Sequence, residues 1–158
     1  HRAPFAFDGD YAPAASIDRF AVGTPPILAM AALEIGVQTV LAAGIDALRA
    51  KSIALTELFV RLVEQRCAGL GLALASPRAA SRRGSQVCFT HAQAWPVMQA
   101  LIARGVLGDF RAPNVLRFGF APLYVRYVDV WDAAEQLRDV LASRAWDRPE
   151  FRQPKAVT

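Results

Sequence analysis

A chain of 158 residues is long enough for a domain that buries roughly 70% of its unfolded-chain surface. Its 54% apolar and 20% charged composition excludes a disordered chain. The net charge of +4 comes almost wholly from arginine, with Lys51 and Lys155 the only lysines, and the one basic concentration is "SPRAASRRGS", Ser76 to Ser85. It lacks interleaved aromatic residues and reads as a solvated loop, so no nucleic acid is expected as a partner. No apolar run reaches the roughly 18 uninterrupted residues of a membrane helix. Glu34 and Gln38 break the nearest candidate, and no membrane partner is expected either.

Residues 1–24 show no sustained period but carry Phe5, Phe7, Tyr11 and Phe20. So long a structureless opening is uncommon in a compact domain, and its rings are expected to lie on a surface outside this chain. His1 opens the chain without an initiator methionine or a signal-peptide pattern, as after processing, at a cloning boundary or at a proteolytic cut. Thr24-Pro25-Pro26 reads as a helix start, with a hydroxyl N-cap followed by proline. That helix should reach about Gly36, with a second short one before Gly44. A long amphipathic helix follows over roughly Ile45 to Ala68, with Leu48, Leu55, Phe59 and Leu62 in one stripe. Arg49, Lys51, Glu57, Arg61 and Glu64 lie mostly away from that stripe, and Gly69 and Gly71 end the helix.

The period then changes. "LALAS" and "SQVCFTH" read as strands, the second with Val87 and Phe89 on one face. "QAWPVMQALIARG" is a helix closed by Gly105, and "VLGDFR" and "VLRFGF" are strands around an "APN" turn. "DVWDAAEQLRDVLASR" is the last helix, with Asp129 as N-cap and Val130, Ala134, Leu137 and Leu141 facing inward; the polar tail after Trp146 reads as loosely held. The whole is an α+β fold with helices on one face of a small, mainly antiparallel sheet. The organisation is a linking segment over 1–44, a small domain over 45–146 and a tail over 147–158.

Arg117 is the leading site candidate. It shares a strand face with Val115 and Gly119, while Leu116 and Phe118 point the other way. A guanidinium beside a residue without a side chain suits two-pronged capture of a carboxylate. A structural ion pair with a helix carboxylate such as Asp109 accounts for it equally well. Thr24 is the second candidate, since a hydroxyl and free N–H groups at a helix start suit a phosphate; a plain N-cap is its alternative. His1 and His91 stand in no ligand pattern, and no metal site, nucleophile elbow or Gly-rich phosphate loop is present. Cys67 and Cys88 match no ligand spacing and read as buried free thiols of a reducing compartment. No catalytic residue is assigned within the chain.

The blocks "RFAVGTPPILAMAALEIGV", "LRAKSIALTELFVRLVEQR", "RRGSQVCFTH", "ARGVLGDFRAPNVLRFGFAPLY" and "DVWDA" closely resemble the C-terminal part of bacterial kynureninases. The resemblance runs in one register along the whole chain. That family holds pyridoxal-phosphate enzymes of the aspartate-aminotransferase fold, which hydrolyse L-kynurenine to anthranilate and L-alanine in tryptophan catabolism, towards NAD biosynthesis. The resemblance implies that Arg117, in "LRFGF", binds the substrate α-carboxylate. It implies that Thr24, in "GTPP", helps hold the cofactor phosphate in the partner subunit's site of a homodimer. It aligns His1 with the histidine of the family's "G-[WF]-x-G-H" segment. The lysine that attaches pyridoxal 5'-phosphate, its preceding tyrosine and the aspartate for the pyridine nitrogen match nothing here and would belong to an N-terminal large domain. Alone, then, the chain is expected to be inactive and prone to associate through its uncovered rings. A cytoplasmic location goes with the family. A cysteine desulfurase-like lyase of the same fold type and a stand-alone small-molecule-binding α+β domain are the competing readings; against the first, Cys88 reads as a strand residue rather than part of a mobile loop.

Overall fold

The computed structural model describes residues 2–3, 5–7, 9–21 and 23–153; His1 and Lys155 fall outside them. The chain divides into two units, His1–Ala42 and Ala43–Thr158.

In the first unit a short 3-10 turn, Ser16–Phe20, precedes helix α1, Ile27–Ala43. The helix does not stop at Gly36. It continues because one glycine costs only about 1 kcal/mol in a helix interior, and the strong helix formers Ala31 to Glu34 before it and Leu41 to Ala43 after it support the helix on both sides. What ends it is Gly44, whose φ of 77° an L side chain rarely adopts. The start also differs from expectation. Each residue before a proline is pushed away from helical backbone, so Thr24 and Pro25 stay outside and the first helical bond runs from the Met30 N–H to the Pro26 carbonyl. Thr24 is therefore not the N-cap. No residue of α1 is buried, although apolar side chains such as Leu28, Leu33, Ile35 and Leu41 stand all around it. Among the described residues no single helix is long and apolar enough to cross a membrane.

The second unit is α+β, as the alternation of periods implies. Strands β1 (Ala73–Leu74), β2 (Gln86–Thr90), β3 (Asp109–Arg111) and β4 (Val115–Gly119) form one sheet in the order β1-β2-β4-β3, every pair antiparallel. Helices α2 (Ile45–Arg66), α3 (Ala94–Ile102) and α4 (Tyr127–Ala142) complete its core. The α2 stripe holds from Leu55 onward, where Leu55, Phe59 and Leu62 are buried with Val60 and Val63. Phe59 is the hub: its ring centroid lies 4.9 Å from that of Phe118, 5.1 Å from Phe120 and 6.1 Å from Phe89. Such aromatic contacts are each worth about 0.5–1.5 kcal/mol beyond the area they bury.

α4 begins at Tyr127, two residues before the expected cap. Asp129 sits in the first turn, where its carboxylate accepts the Arg126 N–H at 2.7 Å; an acid at that position satisfies an orphan donor and suits the helix dipole. Val130, Ala134, Leu137 and Leu141 face the core as expected. The polar stretch after Trp146 is also ordered through a short helix, α5 (Pro149–Arg152), whose Phe151 packs on the core.

Two readings of exposure need correction. The loop Ser76–Ser85 is docked on α2 rather than freely solvated. Arg83, with its side chain only 5% exposed, pairs with Glu57 and donates to the Pro77 and Arg78 carbonyls, while Arg78 pairs with Glu64 and Arg49 donates to the Ala80 carbonyl. Cys67 is buried as expected, but Cys88 is only half-buried, because its side chain is on the outer face of β2; both are free thiols.

His91 closes the turn into α3. Its Nδ1 accepts the Gln93 N–H at 3.0 Å, and its ring lies edge-on to Trp146 at 6.3 Å. Burial is the main cause that lowers its pKa, opposed by backbone hydrogen bonds with Leu70 and Gln93. A lowered value means the unfolded chain takes up the proton first, so stability is full above the unfolded value near 6.5 and falls as pH drops toward the folded one. Melting temperature against pH should therefore fall more steeply below pH 6.5 for the wild type than for His91→Gln; parallel curves would refute this. Burial also pushes the Cys67 thiol up to about 11, so at pH near 8 it should resist alkylation by iodoacetamide until the protein is denatured. Modification of native protein at Cys67, read by peptide mass spectrometry, would contradict that.

Candidate functional site: the open face of the sheet

Strand alternation builds the site. In β4, Leu116 and Phe118 go into the core, leaving Val115, Arg117 and Gly119 on the opposite face. The ladders set what stands beside Arg117: Cys88 of β2 is its partner on one side and Asp109 of β3 on the other. The Arg117 Nη2 donates to the Asp109 Oδ2, and the Arg111 Nη2 lies 3.0 Å from that same oxygen. The carboxylate thus comes from the adjacent strand, not from a helix. Side chains of Arg117 and Asp109 are 32% and 42% exposed, so this is a solvent-facing cluster of two guanidinium groups and one carboxylate.

Gly119 leaves the space its name implies: a Cβ there would meet nothing within 4 Å. Gly108 is a residue that the sequence reading missed. A Cβ at position 108 would lie 2.6 Å from the Met98 methyl and 3.1 Å from the Arg117 carbonyl oxygen. Glycine therefore lets the chain entering β3 close on β4 at the level of Arg117, which sets Asp109 beside it. The signal available was a glycine directly before a short strand, a common mark of close backbone approach.

A cleft of about 570 Å³ opens near the end of β4, with Phe59, Phe118 and Phe120 at its base and Asp129, Asp132 and Glu135 among its lining residues. Gly119 is among its lining residues and Arg117 is not, so the guanidinium stands on the sheet face outside that cleft. Thr24, in the first unit, is exposed and its hydroxyl makes no hydrogen bond with the described residues. Beyond Pro25 and Pro26 come Ile27, Leu28 and Ala29, whose N–H groups precede the first helical bond. Those donors fit a phosphate. Lys51 lies in α2 and is half-buried. Among the described residues no group of histidine, cysteine and carboxylate side chains could hold a metal ion.

A family model described as "Kynureninase C-terminal domain" matches residues 48–137. The whole chain is 54% identical to the kynureninase of Burkholderia mallei (strain SAVP1) and, again at 54%, to that of Burkholderia pseudomallei (strain K96243). It is 44% identical to the kynureninase of Pseudomonas fluorescens. In each case it spans 38% of the relative's length. The matched span runs from α2 into α4 and includes the positions of the Arg117–Asp109–Arg111 cluster: the chain belongs to the kynureninase family, whose C-terminal domain it carries.

Proposed function

We propose that this chain is the C-terminal portion of an enzyme that hydrolyses L-kynurenine to anthranilate and L-alanine, with Arg117 binding the substrate α-carboxylate. The observation that carries this is a half-exposed guanidinium on an open sheet face. Among the described residues it makes one side-chain hydrogen bond, to Asp109 through Nη2, and leaves the second Nη2 hydrogen with its neighbours Nε and Nη1 as available donors. A carboxylate takes two such donors in parallel, with charge assistance on both bonds. The bare Gly119 leaves room for the substrate beside it.

The same reading gives Thr24 a part in holding pyridoxal phosphate. When bound, that cofactor supplies an electron sink for carbanionic chemistry on the substrate. Thr24 contributes a hydroxyl donor, and the adjoining helix start contributes N–H groups and the positive end of a dipole. Neither Lys51 nor Lys155 is assigned to cofactor attachment, which this reading leaves to the N-terminal large domain of the same protein. The uncovered apolar side chains of α1, with Phe5, Phe7, Tyr11 and Phe20, support a dependence on that domain and on a second subunit of a homodimer. Two free thiols accord with a cytoplasmic protein. The desulfurase-like alternative is less well supported, since Cys88 is held in a strand ladder.

In the complete enzyme, Arg117→Lys should raise KM for kynurenine far more than it weakens cofactor binding. The charge stays and the fork geometry is lost, a change on the order of 2 kcal/mol, or roughly 30-fold in kcat/KM. Unchanged kinetics would remove Arg117 from the substrate site. Thr24→Ala should weaken cofactor retention, followed by absorbance titration, at an unaltered melting temperature, because its hydroxyl caps nothing. A lower melting temperature with unchanged cofactor affinity would reverse that assignment.

A further inference from the structure

We propose that Asp109 is a positioning residue for carboxylate binding: it tethers the Arg117 guanidinium by one nitrogen while Arg111 shares its charge. This rests on the reading of Arg117 given above. The two side chains leave directly opposed positions of the β3–β4 ladder, on the same face, as do the backbones of Arg111 and Val115 one step on. Arginine is rich in rotamers, and an untethered guanidinium loses that freedom on capturing its ligand. Asp109 removes much of it in advance. Because the tether uses one Nη2 hydrogen, the other remains to act with Nε or Nη1 as a two-pronged donor to a ligand.

Two further features fit this role and would be idle in a plain ion pair. Arg111 reaches the oxygen of Asp109 that Arg117 also uses. Two cations against one anion leave the cluster a single positive charge, which an incoming carboxylate neutralises. If Arg117 turns toward that ligand, Asp109 keeps Arg111 as partner, so no charge is stranded. Gly108, immediately before Asp109, approaches the Arg117 carbonyl so closely that a Cβ would stand 3.1 Å from it. The backbone is thus fixed at the level where the tether must form.

The test uses the complete enzyme with L-kynurenine and four variants: Asp109→Asn, Asp109→Glu, Arg117→Ala and the Asp109→Asn/Arg117→Ala pair. Asp109→Asn should raise KM on the order of 3- to 10-fold, the scale of ordering one long side chain, with kcat, cofactor affinity and melting temperature nearly unchanged. Asp109→Glu, which keeps the charge, should fall between wild type and Asp109→Asn. In the Arg117→Ala background Asp109→Asn should add nothing, since a tether without its arginine has no work to do. A KM unmoved by Asp109→Asn, or a loss that adds fully to that of Arg117→Ala, overturns the positioning role while Arg117 keeps its own. A KM unmoved by Arg117→Ala overturns the reading of the site itself. Should Asp109→Asn fail to fold, Asp109→Ser is judged by the same double-variant criterion.

Discussion

Strand β4 must be two things at once, and the second unit is organised by that constraint. It has the ladder with β2 on one side and the β3 hairpin on the other, so its backbone polar groups are satisfied from both edges. Its inward residues, Leu116 and Phe118, are buried, and Phe118 meets Phe59 of α2. A one-residue slip in register would send Arg117 into that aromatic cluster and Phe118 into solvent. The cost of burying a guanidinium among phenylalanine rings without a partner rules such a slip out. Packing on one face thereby fixes the position of the charge on the other.

Arginine elsewhere in this unit fastens loops and helix ends. Most of its pairs are exposed, such as Arg144–Asp147 and Arg126–Asp129, and exposed pairs contribute little, typically about 0–1 kcal/mol. Arg83 is different. Its burial is offset by Glu57 and two backbone carbonyls, although its Nε has no partner. A buried charge so enclosed is weak evidence of net stability, but it specifies where the loop Ser76–Ser85 lies. The hydroxyl pair Ser52–Ser85 at 2.7 Å acts at the end of the same loop, just ahead of β2. Arg66 adds a cation–π contact, its guanidinium carbon 4.0 Å from the Trp131 ring centroid while it pairs with Glu135, and so joins α2 to α4.

Much of this was legible wherever period carries the signal. The alternation in "VLRFG" put Arg117 and Gly119 on one face, and the 3.6-residue stripe of α4 named four of its five buried residues. What escaped depended on partners distant in sequence or on backbone rules at element ends. Asp109 lies in a segment that the sequence already marks as a strand, and describing it as a helix carboxylate conflicts with that; the hairpin gives its register, since 109 and 117 are equidistant from the turn. Burial of Arg83 could not be read from a basic loop without knowing that Glu57 faces it. The start of α4 was misplaced because Arg126 is not a usual cap residue, and the start of α1 because two successive prolines postpone the helix past the residue that looks like its cap.

The two units also differ in how each answers the hydrophobic effect. In the second, helices with one apolar stripe meet a sheet with one apolar face, and both are consumed in a single core. In the first, α1 is apolar on every side and buries none of its residues. A helix of that character is ordinarily an interior element of a larger body, because each large apolar side chain gains roughly 1.5–3 kcal/mol on full burial. With Leu28, Leu33, Ile35 and Leu41 alone, that is on the order of 6–12 kcal/mol that α1 does not realise by itself, comparable with the whole stability of an ordinary domain. The sequence of α1 is therefore written for burial that the described residues of its own unit do not give it, whereas the sheet bearing Arg117 needs only its own helices to hold the arginine in place.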